Sequence, residues 1–139
     1  MNPEIQRLLE QHYAAWSTGD VEGILACFTD DCLFEDLALE TTFEGKAGVR
    51  GFAEMTFAAV PDFRWTPTAI VIDGPRAATE WRMAGTQTGD TPRIPRTGKS
   101  FSVPGSSLLE IRAGKIHRNR DYWSLATYLT QLRAMPKTA

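Results

Sequence analysis

The order of local patterns along the chain predicts an α+β fold, with helices packed on one face of a mostly antiparallel sheet. Two observations carry this. Apolar residues recur at helical spacing up to Pro61, and from about residue 63 to 123 the pattern turns strand-like, broken by tight turns. A third observation suggests a pocket: the last strand gathers a carboxylate, an amide and an indole on one side. A strongly curved sheet with helices over its concave side makes a cone with a dry interior.

Asn2 is placed to cap a first helix, with Pro3 in its first turn and Glu4 near the positive end of its dipole. Ile5, Leu8, Leu9, His12, Tyr13 and Trp16 form one helical stripe, and Gly19 ends it. Asp20 caps a second, shorter helix whose Val21, Ile24, Leu25 and Phe28 face inward. Thr29-Asp30-Asp31 reads as a turn and Cys32–Leu37 as a short strand. A third helix is expected from about Lys46 to Ala59, with Val49, Phe52, Ala53, Thr56, Phe57 and Val60 buried and Pro61 as its stop.

Strands follow near 63–72, 76–88, 98–112 and 115–123. Asp73-Gly74-Pro75 joins the first two, and Ala113-Gly114 makes a tight hairpin between the last two. Gly89–Arg96, with Pro92 and Pro95, is a loop. Leu125, Tyr128, Leu129 and Leu132 predict a short closing helix, and Met135–Ala139 a tail.

In GKIHRNRDYWSL, residues Gly114–Leu125, alternation puts Ile116, Arg118 and Arg120 on one face and His117, Asn119, Asp121 and Trp123 on the other. A carboxylate held against apolar walls has its proton affinity raised, which makes an acid or base useful near neutral pH. Spacing alone leaves a second role open for Asp121, as the cap of the helix that starts near Ser124.

The totals narrow the function classes. A chain of 139 residues, 42% hydrophobic and 23% charged with net charge −2, suits one globular domain over residues 1–139. No basic stripe interleaved with aromatics points to nucleic acid. No segment approaches the ~20 apolar residues of a membrane span. The start MNPEIQRLLEQHY does not read as a signal peptide, so the expectation is a cytoplasmic protein with no membrane partner. Cys27 and Cys32 lack metal-ligand spacing and read as buried thiols. No metal cluster, phosphate-cradling Gly loop or Ser-His-Asp order is visible, so the chemistry expected is cofactor-free, with no metal site.

Taken in order, AAWSTGDVEGILACFTDDCLFED, a Gly-containing helix, PDFRW, GTQTG, TGKSF and GKIHRNRDYWSL resemble the SnoaL-like polyketide cyclases. These belong to the nuclear-transport-factor-2-like superfamily, with ketosteroid isomerases and limonene-epoxide hydrolases. The resemblance runs from about Tyr13 to Leu132. It implies a cone-shaped α+β barrel of a strongly curved, mostly antiparallel sheet, three N-terminal helices and a short C-terminal one. It also implies a homodimer paired through the outer sheet face.

Residue by residue, the resemblance compares three activities. The proton-shuttling Asp of the isomerases follows a D-D-x-x-x-E-D pattern, where Asp36 falls. Their oxyanion Tyr and protonated Asp are not reproduced: a gapless reading puts His12 and Ser107 in those places, with Tyr13 one residue off. Losing that donor pair would cost an enolate several kcal/mol, which disfavours steroid isomerisation. Asp121 takes the place of one Asp in the epoxide hydrolases' Asp-Arg-Asp triad. Trp81 and Met83 stand where the Arg and second Asp would be, and Phe34 and Asp36 replace the Tyr and Asn. Arg82 faces the other side, so the water site is dismantled. In the cyclases an Asp at the position of Asp121 is the acid/base of an intramolecular aldol closure. That residue is intact, although GTQTG stands for GTHTG, and Ser106 and Ser107 stand where a His is offered.

The reading is a cofactor-independent acid/base enzyme acting on a small apolar carbonyl compound, by polyketide-cyclase-like or isomerase-like proton transfer. Asp121 and Asp36 are the catalytic candidates. Asn119, Tyr13, His12, Trp16, Phe34, Trp81, Met83, Ser107 and Trp123 are the substrate-binding candidates, with His117 a weaker one near the hairpin. The alternatives are a non-catalytic small-molecule-binding or dimerisation domain and, further off, epoxide-hydrolase-like activity. An enclosed cavity at Asp121 would favour the enzyme; a cone filled by its own aromatics would favour the cap.

Overall fold

The computed structural model describes residues 2–91 and 94–134; the expected tail at Met135–Ala139 and the loop prolines' neighbourhood at 92–93 lie outside the described residues. The elements in chain order are α1 (Pro3–Ser17), α2 (Val21–Leu25), β1 (Phe28–Asp36), β2 (Thr41–Glu44), α3 (Gly45–Ala59), β3 (Arg64–Asp73), β4 (Arg76–Thr86), β5 (Ser100–Arg112), β6 (Lys115–Trp123) and α4 (Leu125–Leu132). The fold is α+β: one curved six-stranded sheet in the order β2-β1-β6-β5-β4-β3, with four helices. Only the β1–β6 pairing is parallel. The sheet is not closed into a barrel, because β2 and β3 are free edges that do not pair with one another.

Local chemistry sets the helix ends. The Asn2 side chain accepts from the Ile5 N–H at 3.2 Å, and Asp20 accepts from the Gly23 N–H at 2.9 Å. Ile5, Leu9, His12, Tyr13 and Trp16 of α1 are buried over β3, and α3 packs on β1. The side chains of the concave face and these helices form one core.

Three expectations fail in instructive ways. Thr29-Asp30-Asp31 is not a turn. It lies inside β1, in an irregular stretch between Phe28, which pairs with Ile116, and Leu33, which pairs with Arg118. The bulge lets polar residues stay extended without joining the ladder, and it also makes Phe28 the first residue of β1 rather than part of α2. The four-residue β2 was not expected; TTFE carries a single large apolar residue and too little alternation to read.

The third failure concerns β6. Glu110 pairs with Arg118 but Ile111 with Ile116, so His117 is an extra residue. Beyond that bulge the alternation flips: Ile116 is fully buried, and His117 leaves the face of Asp121. Its Nδ1 lies 3.2 Å from Thr29 Oγ1 and 3.4 Å from Asp31. The hairpin that precedes it matches expectation, with Ala113 and Gly114 both at positive φ, as a two-residue primed turn requires.

Candidate active site

Sheet register sets four buried polar side chains in one row. Asp36 on β1 stands beside Asp121 on β6, Asp121 opposite Ser107 on β5, and Ser107 opposite Thr79 on β4. Neighbouring strands are about 4.8 Å apart, so each member is within reach of the next. None is more than 4% exposed.

Hydrogen bonds tie the row together. Ser107 Oγ donates to Asp121 Oδ1 at 2.6 Å, and Asn119 Nδ2 donates to the same oxygen at 2.8 Å. Trp81 Nε1 donates to Ser107 Oγ at 2.8 Å, which uses the hydroxyl as acceptor and donor at once. Gly105 makes this possible: a Cβ there would collide with the Trp81 ring, so only glycine lets the indole lie across β5. At the far end of the row the Tyr13 hydroxyl meets Thr79 Oγ1 at 2.6 Å. Among the described residues Asp121 Oδ2 accepts no bond.

Burial pushes the Asp121 carboxyl up to about 7; the charge of Asp36 acts in the same direction, and the Ser107 and Asn119 bonds act against both. Burial also raises Asp36, opposed by the Leu39 N–H at 2.9 Å and by Trp123 Nε1, which lies 3.1 Å from each carboxylate oxygen. The Tyr13 phenol is raised beyond its ordinary range by burial and stays protonated at neutral pH. The row therefore offers a carboxyl that can hold or release a proton near neutrality beside a second carboxylate.

Asp121 does not cap α4. Ser124 does, its Oγ accepting from the Thr127 N–H at 3.1 Å. Asp36, Asn119, Ser107, Trp81, Tyr13 and Trp123 gather around Asp121, of which alternation along β6 implied only Asn119 and Trp123. Phe34 stands beside Asn119 in register and is fully buried. Met83 lies two residues beyond Trp81, opposite Trp65 and Val103, outside the row. Arg82 is on the outer face, bonded to Ser102, and supplies no charge to the site.

The gapless placement of His12 is corrected by helix geometry. Tyr13, not His12, reaches the row, because successive residues point about 100° apart around a helix. His12 and Trp16 are fully buried, and among the described residues their ring nitrogens have no hydrogen-bond partner. Burial pushes the His12 ring down to about 3, so it is neutral at physiological pH. Two participants were missed. Thr79 lies on the alternation Ala77-Thr79-Trp81-Met83, so its inward side was readable. Trp65, within the expected strand at 63–72, packs on Tyr13 and Trp81 with ring centroids 5.4 and 5.0 Å apart.

The interior is filled by its own rings in this conformation: Tyr13, Trp16, Phe28, Phe34 and Trp81 are all at most 2% exposed. An open groove of about 320 Å³ lies at the hairpin end, between the start of α1 and the turns at Gly74-Pro75 and Ala113-Gly114. It includes no member of the row. Among the described residues no group of three or more His, Cys, Asp or Glu side chains could hold a metal ion, and no helix is long and apolar enough to cross a membrane.

This architecture is that of the ketosteroid isomerase-like proteins. The structure aligns with a protein of that fold from Catenulispora acidiphila at TM-score 0.82 and 25% identity, over 92% of this chain and 93% of that one. TsrD from Streptomyces laurentii aligns at TM-score 0.86 and 26% identity, over 97% and 98%. A candidate polyketide cyclase from Pseudomonas putida KT2440 aligns at TM-score 0.77 and 28% identity, over 89% and 94%. No curated protein matches in sequence. The family model for the SnoaL-like domain matches residues 9–119, and the chain belongs to that family. The match ends two residues before Asp121, so the family is shown by the scaffold and not by the carboxylate.

Proposed function

We propose that this protein is a cofactor-independent acid/base enzyme acting on a small, largely apolar carbonyl compound. Asp121 moves a proton at the carbon beside the carbonyl, in a cyclase-like or isomerase-like reaction. The observation that carries this is the hydrogen-bonded carboxyl: Oδ1 is held by Ser107 and Asn119, which leaves Oδ2 as the proton-exchanging atom. Above about pH 7 the group is a base, and below it an acid. Asp36, its lateral neighbour, keeps the two proton affinities coupled and can take the complementary role. Membership of the SnoaL-like family supports the reaction class. The structure with TM-score 0.82 was solved in complex with trimethylamine, so a protein of this fold has been seen with a small molecule.

The test is deuterium uptake by a cyclic ketone in deuterium oxide, followed by proton NMR. Wild type should speed exchange at the carbon beside the carbonyl and Asp121→Asn should not; equal exchange in both would sink the assignment. A second reading, a binding or dimerisation domain without chemistry, is favoured by the rings that fill the interior; it predicts ligand binding with no exchange in either protein.

A homodimer and a cytoplasmic location belong to the same proposal. On the outer sheet face Val71 and Leu108 are 63% and 51% exposed, one in line with the other through Ala78, with Tyr122 nearby on β6. A second copy of the chain would cover this apolar strip. Leu108→Lys should shift the protein to monomer in sedimentation while changing the stability of each chain by no more than about 0.5 kcal/mol.

A further inference from the structure

The bulge that takes His117 away from the row sends it to a different place. Its ring lines a groove of about 230 Å³ at the hairpin end, together with Arg76 and Arg112. Pro75 and Ile111 line this groove and also the larger one of about 320 Å³ beside α1, so the two adjoin. The Ile111 N–H donates to the Pro75 carbonyl at 2.7 Å, which ties the turn to β5 where the grooves meet. The two differ in chemistry. The larger has an apolar floor of Ile5, Leu8 and Ile111, while the smaller carries the cations. An apolar surface groove rimmed by charge has the make-up of a binding site.

We infer that these adjoining grooves bind an aliphatic carboxylate, its chain on Ile5, Leu8 and Ile111 and its head group on Arg76 and Arg112. The charges select an anion at this end. Among the described residues Arg76 is in no ion pair. Glu110, opposite it in the sheet, lies 3.7 Å from Arg118 instead, and Asp73, its partner across the turn, is exposed. Arg112 is 3.7 Å from Asp31, a carboxylate it shares with His117 at 3.4 Å. One free guanidinium beside a half-neutralised one suits a single negative charge better than the double charge of a phosphate monoester. A guanidinium also presents paired N–H donors that match the two oxygens of a carboxylate. The other end refuses the head group. Asn2 already caps the N-terminus of α1 and Glu4 stands beside it, so an anion there meets repulsion. The direction is thereby fixed, with the head at the arginines and the chain along α1. No member of the row lines either groove, so this site is independent of the reading of Asp121.

The experiment uses the full-length protein with isotope-labelled methyl groups and histidine rings, and probes that share one chain: octanoate, octanol and octylamine. Acetate supplies the head group alone. Octanoate should shift the His117 ring and the Ile111 and Leu8 methyl resonances. It should bind at least about threefold more tightly than octanol, the size expected of an exposed Arg–carboxylate pair. A surface that was merely apolar would give the reverse order, because a neutral head sheds water more readily. Arg76→Gln, an exposed substitution with little effect on folding, should bring octanoate down to the affinity of octanol and leave octanol unchanged. Added salt should do the same. Octanol or octylamine binding as tightly as octanoate would overturn the inference. So would shifts confined to the apolar strip at Val71 and Leu108, or octanoate no tighter than acetate, the mark of an adventitious ion only. Absence of any shift up to the concentration at which octanoate forms micelles would overturn it as well. Ketone exchange keeps the two readings apart: Arg76→Gln should exchange like wild type, and a failed Asp121 assignment would leave the octanoate shifts standing.

Discussion

The polar row on the sheet and the ring cluster under α1 are buried to the same degree, yet they treat polar atoms in opposite ways. In the row, Ser107 is used as donor and acceptor, and Tyr13, Thr79 and Trp81 all have partners. In the cluster, His12, Trp16 and Trp65 have none on their ring nitrogens among the described residues. The row is finished within the protein, apart from one carboxylate oxygen and the Asn119 carbonyl. The cluster leaves its ring nitrogens unpaired among the described residues. The proposed function uses the first region for proton transfer.

The largest expected effect follows from breaking the row at its reactive end. Asp121→Asn keeps the shape and the acceptor for Ser107 but removes the exchangeable proton. Exchange at the ketone should fall about 10²–10⁴-fold, the usual contribution of a positioned general base. Circular dichroism should be unchanged. In wild type the rate should rise with pH through about 7, as Asp121 becomes the base.

How far the sequence reached is clearest at these residues. Period-two alternation put Asn119, Asp121 and Trp123 on one face, and the helical stripe put His12, Tyr13 and Trp16 on another. Local patterns made these legible. The lateral contact of Asp36 with Asp121 was not, because it depends on a parallel pairing between strands far apart in the chain. Nor was the bulge at His117, since one inserted residue leaves no mark in composition. The difference between Tyr13 and His12 needed the rotation of α1 over the sheet, which a stripe containing both cannot give.

Titration should separate the two regions by the sign of their effect on stability. The folded value of Asp121 is raised from 3.8 to about 7, so between those limits the native state holds a proton that the unfolded chain has released. Stability is therefore lost as pH rises through that window. Asp121→Asn should be more stable than wild type at mildly alkaline pH, by up to about 4 kcal/mol, and similar to it below pH 3.8. His12 runs the other way. Its folded value is lowered from 6.5 to about 3, so the unfolded chain gains a proton that the native ring refuses as pH falls. His12→Phe should remove an acid-side loss of similar size. Urea unfolding across pH checks both, and slopes of the same sign would break the contrast.

Ser107→Ala acts on the middle of the row. It leaves the Trp81 indole without its acceptor and Asp121 with one donor fewer, at a cost of about 1–3 kcal/mol. Because the Ser107 bond lowers the Asp121 value, its loss should move the rise of the exchange rate to higher pH. An unmoved pH profile would mean that Ser107 serves packing alone.

The smallest effect is the most informative about the cluster. Thr79→Val keeps the size of the side chain and removes the hydroxyl that meets Tyr13 at 2.6 Å. Tyr13 then loses its closest partner and is left with Ser107 alone. A loss of about 1–2 kcal/mol in urea unfolding, with exchange at the ketone nearly unchanged, would show that this core charges for an orphaned group at the ordinary rate. The four unpaired ring nitrogens of the cluster would then carry a real cost in stability. If the variant is as stable as wild type, orphaned groups are cheap in this interior, and the contrast between the two regions carries no energetic weight.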